Sequence, residues 1–311
     1  MDDLLRKACA MTDMGNMTFP GLTADTPKYF CAGEFRLPLF HKTYVMGILN
    51  ITPDSFSDGG RYSSVEEAVR RAGQMVSEGA HIIDVGGEST RPGHTPVDAA
   101  EEISRILPVI RALKKELKVP ISVDTWKAGV AGAAVSAGAS MINDIWGLKR
   151  EPGIAKIAAE TGAGLVMMFN AFDPSIFEKT GDITADALRY LGDSIRIARA
   201  AGVRDDQMMI DPGIGIGFGV SAAESLTLIR SLPSFCKLGF PVLIGPSRKR
   251  FIGAVLDKPV DERMIGTVAT CLTGADLGAF AVRVHDVYEV SEALKMRSAI
   301  LYNEWQPKED L

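Results

Sequence analysis

The side chains in this sequence that are equipped for chemistry fall in short clusters, and nearly every cluster follows a run of apolar residues. The first, Asn50-Ile51-Thr52-Pro53-Asp54-Ser55-Phe56-Ser57-Asp58-Gly59-Gly60, offers amide, hydroxyl and carboxylate oxygens. These are hard donors of the kind that suit Mg2+ on a pyrophosphate, although Asx and Ser turns in a surface loop use the same residues. Gly86-Gly87-Glu88-Ser89-Thr90-Arg91-Pro92-Gly93 pairs two glycines, which let backbone come close to a ligand, with the phosphate-matching fork of Arg91. Ser122-Val123-Asp124-Thr125 and Ile142-Asn143-Asp144 carry a carboxylate and an amide able to read the amino and ring nitrogens of a heterocycle. A carboxylate buried against such an edge selects steeply, because the wrong ligand leaves it unpaired; strand-end caps or turns would explain these short segments equally well. Ser247-Arg248-Lys249-Arg250 places three cations after a late apolar run, where a (β/α)8 barrel often holds phosphate, a solvated basic turn being the plainer alternative. In Arg283-Val284-His285-Asp286, Arg283 and His285 are two apart, so on a strand they face one side.

Several chemistries are not expected. Asp211-Pro212-Gly213-Ile214-Gly215-Ile216-Gly217-Phe218-Gly219 is glycine-rich but lacks G-x-G-x-x-G spacing and a following acidic residue in a βαβ context, which argues against dinucleotide binding. The four histidines, His41, His81, His94 and His285, form no H-x-x-x-H pair and no Cys/His set, so a zinc enzyme is not expected, and the first three read as structural or surface residues. There is no G-x-S-x-G nucleophile elbow. A net charge of -5 argues against a general nucleic-acid binder. Cys9, Cys31, Cys236 and Cys271 form no C-x-x-C pair, the pattern of reduced thiols in a cytoplasmic protein. No apolar h-region follows the charged Met1–Ala10 segment, and no apolar run is long enough for a membrane helix.

The elements that must position these clusters have a regular rhythm. Eight short apolar or β-branched runs are predicted as strands, at Tyr44–Ile51, His81–Gly86, Ile121–Asp124, Ser140–Ile145, Gly164–Phe169, Gln207–Asp211, Pro241–Gly245 and Phe280–His285. Near-continuous apolar runs fit strands buried on both faces of a parallel sheet. Amphipathic patterns between them predict helices at Ser64–Glu78, Ala99–Leu117, Lys127–Ala137, Pro152–Thr161, Ala185–Ala201, Ala222–Ser231 and Met264–Leu277, the first with Ser64 and Glu67 as a capping box. An α/β chain of 311 residues with this alternation predicts a single-domain (β/α)8 TIM barrel, with an open doubly wound sheet as its rival. The runs end at or near Asn50, Asp84, Asp124, Asn143, Asp211, Ser247 and His285, and convergence of polar strand ends on one rim favours the barrel. Residues 1–40 read as an irregular N-terminal extension, 41–303 as the barrel and 304–311 as a tail.

In their order and spacing, Asn50–Gly60, Gly86–Gly93, Ser122–Thr125, Ile142–Asp144, Asp211–Gly215, Ser247–Lys249 and Arg283–Asp286 resemble the dihydropteroate synthase family, over about Tyr44 to Ala299. The resemblance implies a transferase of folate biosynthesis that condenses 6-hydroxymethyl-7,8-dihydropterin pyrophosphate with p-aminobenzoate, releasing pyrophosphate, and that is a target of sulfonamides as arylamine mimics. It implies that Asp124, Asn143 and Asp211 hold the pterin ring, with Met168, Gly245 and Lys249 lining its pocket. Asn50, Arg91, Arg283 and His285 would bind the pyrophosphate, with Asn50 at Mg2+, and Thr90, Pro92 and Ser247 would lie near the arylamine. The loops at 50–60 and 86–93 would close over the site, and the protein would be a homodimer. The chemistry suits these residues: a departing pyrophosphate needs cations, the cationic pterin methylene benefits from nearby carboxylates, and closure excludes competing water. Two departures stand out. Family members usually carry His after the strand-end Met where this chain reads Met167-Met168-Phe169-Asn170, and the Gly215–Val220 loop is about two residues longer and lacks the usual Lys. These departures suit a non-catalytic pterin-binding paralogue. A pterin-dependent methyltransferase serving a corrinoid partner is a further alternative, which Asn50, Lys249 and Arg283 speak against.

Overall fold

The structure is a computed structural model and describes residues 27–39, 42–51, 61–88 and 97–302. Its centre is a ring of eight parallel strands: β3 (Tyr44–Asn50), β4 (Ile82–Gly86), β5 (Ile121–Asp124), β6 (Met141–Asp144), β7 (Gly164–Met168), β8 (Met208–Asp211), β9 (Leu243–Ile244) and β10 (Ala281–Val284). They are hydrogen-bonded in the order β8-β7-β6-β5-β4-β3-β10-β9. The ring closes between β8 and β9 through a single bridge, Ile210 to Val242, with the Ile210 amide donating to the Pro241 carbonyl at 3.0 Å. Helices α1 (Arg61–Ser77), α2 (Ala99–Glu116), α3 (Ala128–Ala137), α4 (Gly153–Thr161), α5 (Ile183–Ala200), α6 (Ala222–Arg230), α7 (Leu232–Cys236), α8 (Arg250–Leu256), α9 (Met264–Asp276) and α10 (Val287–Tyr302) lie between and after the strands. This is the expected (β/α)8 barrel, and the open-sheet rival is set aside by the closing bridge.

The strand runs look uniformly apolar because both faces are buried, but the two faces do different work. Val45, Ile83, Val85, Val123, Leu165, Ile210, Val242 and Val282 join the core under the helices. Their neighbours Tyr44, Met46, Ile82, Met141, Val166, Met209, Leu243 and Ala281 form a separate cluster inside the ring. Because side chains alternate along a strand, the inward set continues toward the carboxyl ends as Asp84, Ser122, Asp124, Asn143, Met168, Asp211 and Arg283. The barrel is therefore apolar at its amino end and polar at the other, and the sheet's own period puts the polar groups in one place.

Two expectations are corrected. Residues 1–40 were expected to be irregular, but β1 (Tyr29–Ala32) and β2 (Phe35–Pro38) pair antiparallel. This hairpin plugs the amino end of the barrel. Phe30 and Leu39 join the inner cluster, Phe30 meets Phe280 edge-to-face at 6.2 Å, and the Gly33 amide donates to the Gly162 carbonyl at 2.9 Å. Gly164 makes room for it, since a Cβ there would lie 2.7 Å from Phe30 Cζ. Secondly, Ser64 was expected to cap a helix with Glu67, but α1 begins at Arg61, so Ser64 is inside it. Glu67 is exposed within that helix. A capping box does exist at Ser221 and Glu224, which start α6 just after the lengthened loop.

Candidate active site

The deepest part of the polar end is a charge network shared by four strands. Arg283 on β10 donates from Nε to Asp84 Oδ2 and from Nη2 to Asp124 Oδ2, both at 2.5 Å. Asn143 Nδ2 on β6 donates to the same Asp84 oxygen at 3.2 Å. Burial disfavours the Arg283 cation, but the Asp84 and Asp124 carboxylates outweigh it and keep its pKa above the usual arginine value. Burial pushes the Asp124 carboxyl up, against the opposite pull of Arg283. Asp84 Oδ1, Asp124 Oδ1 and Ser122 Oγ are buried with no protein partner. A buried acceptor without a donor costs about 1–3 kcal/mol, so such atoms point to a ligand or water that completes them.

The second part lies across the closing seam. Asp211 at the end of β8 accepts from the Gly213 amide at 2.7 Å and carries a carboxyl raised by burial to about 6, against Lys249, the Gly213 amide and Arg283. Lys249 is half-buried, with its ammonium donating to the Ile214 carbonyl and lying 4.8 Å from the centre of the Phe218 ring. Burial lowers its pKa to about 8, although Asp211 pulls it up. Glycine is needed at two points here. Gly213 has φ +70° and a Cβ would sit 1.9 Å from the Phe169 carbonyl oxygen; Gly215 has φ +133° and a Cβ would sit 2.9 Å from Lys249 Cδ. Gly245 lies beside both cations, where a Cβ would make only ordinary contact, 3.7 Å from Lys249 Nζ and 3.8 Å from Arg283 Cβ.

On the rim, Ser247 Oγ and His285 Nδ1 are 2.9 Å apart, and the His285 amide donates to Ser247 Oγ at 3.0 Å. Of the three cations expected together at 248–250, only Lys249 turns to the site. Arg248, at φ +51°, has its guanidinium on Asp286, with Nε to Oδ2 at 2.9 Å, and Arg250 is exposed. Asn50 ends β3, facing Gly86 and Asp124, since a Cβ on Gly86 would lie 3.7 Å from Asn50 Oδ1 and 3.6 Å from Asp124 Cβ. Met168 and Asp211 are register partners on β7 and β8.

Asn50, Asp124, Asn143, Met168, Asp211, Gly245, Ser247, Lys249, Arg283 and His285 thus come together at one end of the barrel. Thr90, Arg91 and Pro92, together with residues 52–60, lie outside the described residues. Asp84 was noticed in the sequence only as a polar strand end. Its parity with Ile82 on a buried strand is the signal that placed it inside. Of the neighbours of candidate residues, Asp144 has the bland role, accepting from the Trp146 and Leu148 amides at 2.8 and 2.7 Å.

The departures are accommodated by packing. Phe169 joins Phe177 and Tyr190 in an edge-to-face trio with centroid distances of 5.2–5.7 Å, where no charge is needed. Asn170 is buried and links two loops, donating to the Ile145 carbonyl and accepting from the Phe172 amide, both at 3.0 Å. In the longer loop, the Ala171 amide donates to the Phe218 carbonyl and Lys179 Nζ to the Gly219 carbonyl, both at 3.0 Å. Phe218 of this loop meets Lys249.

The arrangement can bind a flat heterocycle through acceptors on one side and a cation on the other, and an anion at Lys249, Arg283 and His285. The comparisons agree. The model of the family described as pterin binding enzyme matches residues 46–285. The dihydropteroate synthase of Bacillus subtilis is 51% identical over 260 residues, 84% of this chain and 89% of that one. Two solved structures of the Xanthomonas albilineans dihydropteroate synthase, one with 4-aminobenzoic acid and one with 7,8-dihydropteroate, superpose with TM-scores of 0.82 and 0.79 at 43% and 40% identity. Each covers 89% of this chain and 99% of its own.

Proposed function

The chain belongs to the dihydropteroate synthases within the pterin-binding enzyme family, and from that premise we propose how its own residues carry the reaction. It is a transferase of folate biosynthesis that joins 6-hydroxymethyl-7,8-dihydropterin pyrophosphate to p-aminobenzoate. The bond from the pterin methylene to the pyrophosphate oxygen breaks, and pyrophosphate takes the electron pair. The arylamine nitrogen then bonds to the methylene and gives up a proton.

Asp124, Asn143 and Asp211 read the ring, Met168 and Gly245 line it, and Lys249 contacts ring and anion. Arg283, already fixed by Asp84 and Asp124 through Nε and Nη2, offers Nη1 to the departing pyrophosphate. His285, oriented by Ser247, adds a second donor. The carboxylates of Asp124 and Asp211 stabilise positive charge on the pterin as the leaving group departs. Thr90, Arg91, Pro92 and Ser247 serve the arylamine and pyrophosphate side, which a sulfonamide would occupy as a mimic. The observation that carries this reading is the orphaned carboxylate oxygen on Asp124 beside a fixed guanidinium, a floor built for a ligand rich in N–H donors.

Mg2+ fits the residues present as a substrate-borne ion. Among the described residues no group of three or more His, Cys, Asp and Glu could hold a metal, whereas the Asn50 amide is a single hard oxygen donor, and Mg2+ commonly takes one or two protein ligands with phosphate and water. Held by Asn50, it would supply charge neutralisation to the leaving pyrophosphate. A homodimer is supported by exposed Val255, Leu256, Val260, Ile265, Tyr288, Met296 and Ile300 on and around α8, α9 and α10. A cytoplasmic location is supported by free Cys31, Cys236 and Cys271; no described helix is long and apolar enough to cross a membrane.

The test is pyrophosphate release with pterin pyrophosphate, Mg2+ and p-aminobenzoate, omitting each in turn. Release that needs all three and yields dihydropteroate is expected. Pterin binding without turnover would instead identify a non-catalytic paralogue.

A further inference from the structure

Asp84 is fully buried, pairs in register with Ser122 one layer below the residues that face the ligand, and is assigned above only the fixing of Arg283. It accepts from Arg283 Nε and from Asn143 Nδ2 through one oxygen, while its other oxygen has no protein partner. A carboxylate in this network can only accept. The end of the Asn143 amide that meets it must therefore be NH2, because the reversed amide would set two acceptors against each other in a buried site. Asn143 is itself buried, and Asp124 stands beside it in register. We infer that Asp84 is a positioning residue that locks the Asn143 side-chain amide in one orientation and so sets which hydrogen-bond pattern the site accepts.

Locked in this way, Asn143 presents its carbonyl oxygen and its second amide hydrogen to the ligand. The complementary edge is a ring amino group beside a ring nitrogen acceptor, as at the 2-amino and N1 positions of a pterin. A 2-oxo ring reverses both partners, placing a carbonyl and an N–H on that edge. Asp84 thus selects 2-amino over 2-oxo pteridines without touching either. This inference rests on the pterin-binding reading of the site and names the specificity element within it.

The experiment is calorimetric binding of 6-hydroxymethylpterin and its 2-oxo counterpart, 6-hydroxymethyllumazine, to wild type, Asp84→Leu and Asn143→Ala. Wild type should prefer the pterin by about 100-fold, as expected where a buried polar group would be left unpaired. In Asp84→Leu, of similar volume, the one oxygen that holds both Arg283 and Asn143 is gone, and the Asn143 amide is free to take either orientation. The preference should fall below about 10-fold, with lumazine binding improving in absolute terms. Asn143→Ala should lose the preference by weakening pterin alone. An unchanged ratio in either variant, with both ligands weakened alike, overturns the assignment and leaves Asp84 a purely structural residue. Should Asp84→Leu not fold, wild-type protein carrying 15N-asparagine decides: locked Asn143 amide protons exchange slowly, and fast exchange overturns the proposal. Failure of wild type to bind the pterin at all would instead strike the functional reading itself.

Discussion

At the residue scale, the site depends on two groups held near their titration points by burial. Asp211, at about 6, must be a carboxylate to accept from the ring, so binding fails as the pH falls through that value. Lys249, at about 8, must be charged to hold the anion, so binding fails as the pH rises through that value. The expected profile of kcat/KM is a bell, with an alkaline limb near 8 and an acid limb at about 6 that the raised Asp124 carboxyl shifts upward. Lys249→Arg, which keeps its charge, should remove the alkaline limb even if it lowers the plateau. An unchanged alkaline limb would assign that limb to another group. Asp211→Asn should raise the KM for pterin pyrophosphate by roughly 10- to 100-fold, the usual cost of a lost hydrogen bond to a charged group. The KM for p-aminobenzoate should move by far less, and equal losses for both substrates would count against the pterin role. Arg248 teaches the opposite lesson, because a cation beside a binding residue spends its charge on Asp286.

At the element scale, the strands were legible because two-faced burial writes apolar runs, and seven of the ten described helices because one-faced burial writes a period. Asp124, Asn143, Asp211, Lys249 and Arg283 were legible because strand ends converge in a barrel. Asp84 was not singled out, because a carboxylate in an apolar run has no motif. Its partners, Arg283 and Asn143, are 199 and 59 residues away. The hairpin at Tyr29–Ala32 and Phe35–Pro38 escaped because four-residue strands are too short to show a period and their apolar side chains answer to the barrel floor. That floor gives a prediction. Phe30→Ala should cost about 3–5 kcal/mol in chemical denaturation, the usual range for emptying a buried aromatic site, while leaving both substrate KM values unchanged. Altered KM values would mean that the plug reaches the site at the opposite end.

At the scale of the whole molecule, stability and function are separated along the barrel axis: apolar packing and the hairpin at one end, titratable groups at the other. The helices around α8–α10 leave Ile265 and Ile300 about 70% exposed, an apolar surface of the kind that marks association. Under the proposed homodimer, Ile265→Asp should shift sedimentation from dimer toward monomer, and a variant sedimenting like wild type would count against this face. The ring itself is uneven. Its ladders are continuous except where β8 meets β9, a strand of two residues joined to β8 by one bridge. That joint is where thermal breathing of the barrel should begin, so the Ile210 amide should be the first of the strand amides to exchange with deuterium. Asp211 stands on one side of the joint and Lys249 on the other, so a ring gripped by both acts as a rivet. The substrate would then be, for as long as it stays, the missing rung of the sheet, and slowed exchange at Ile210 would report its occupancy from outside the pocket.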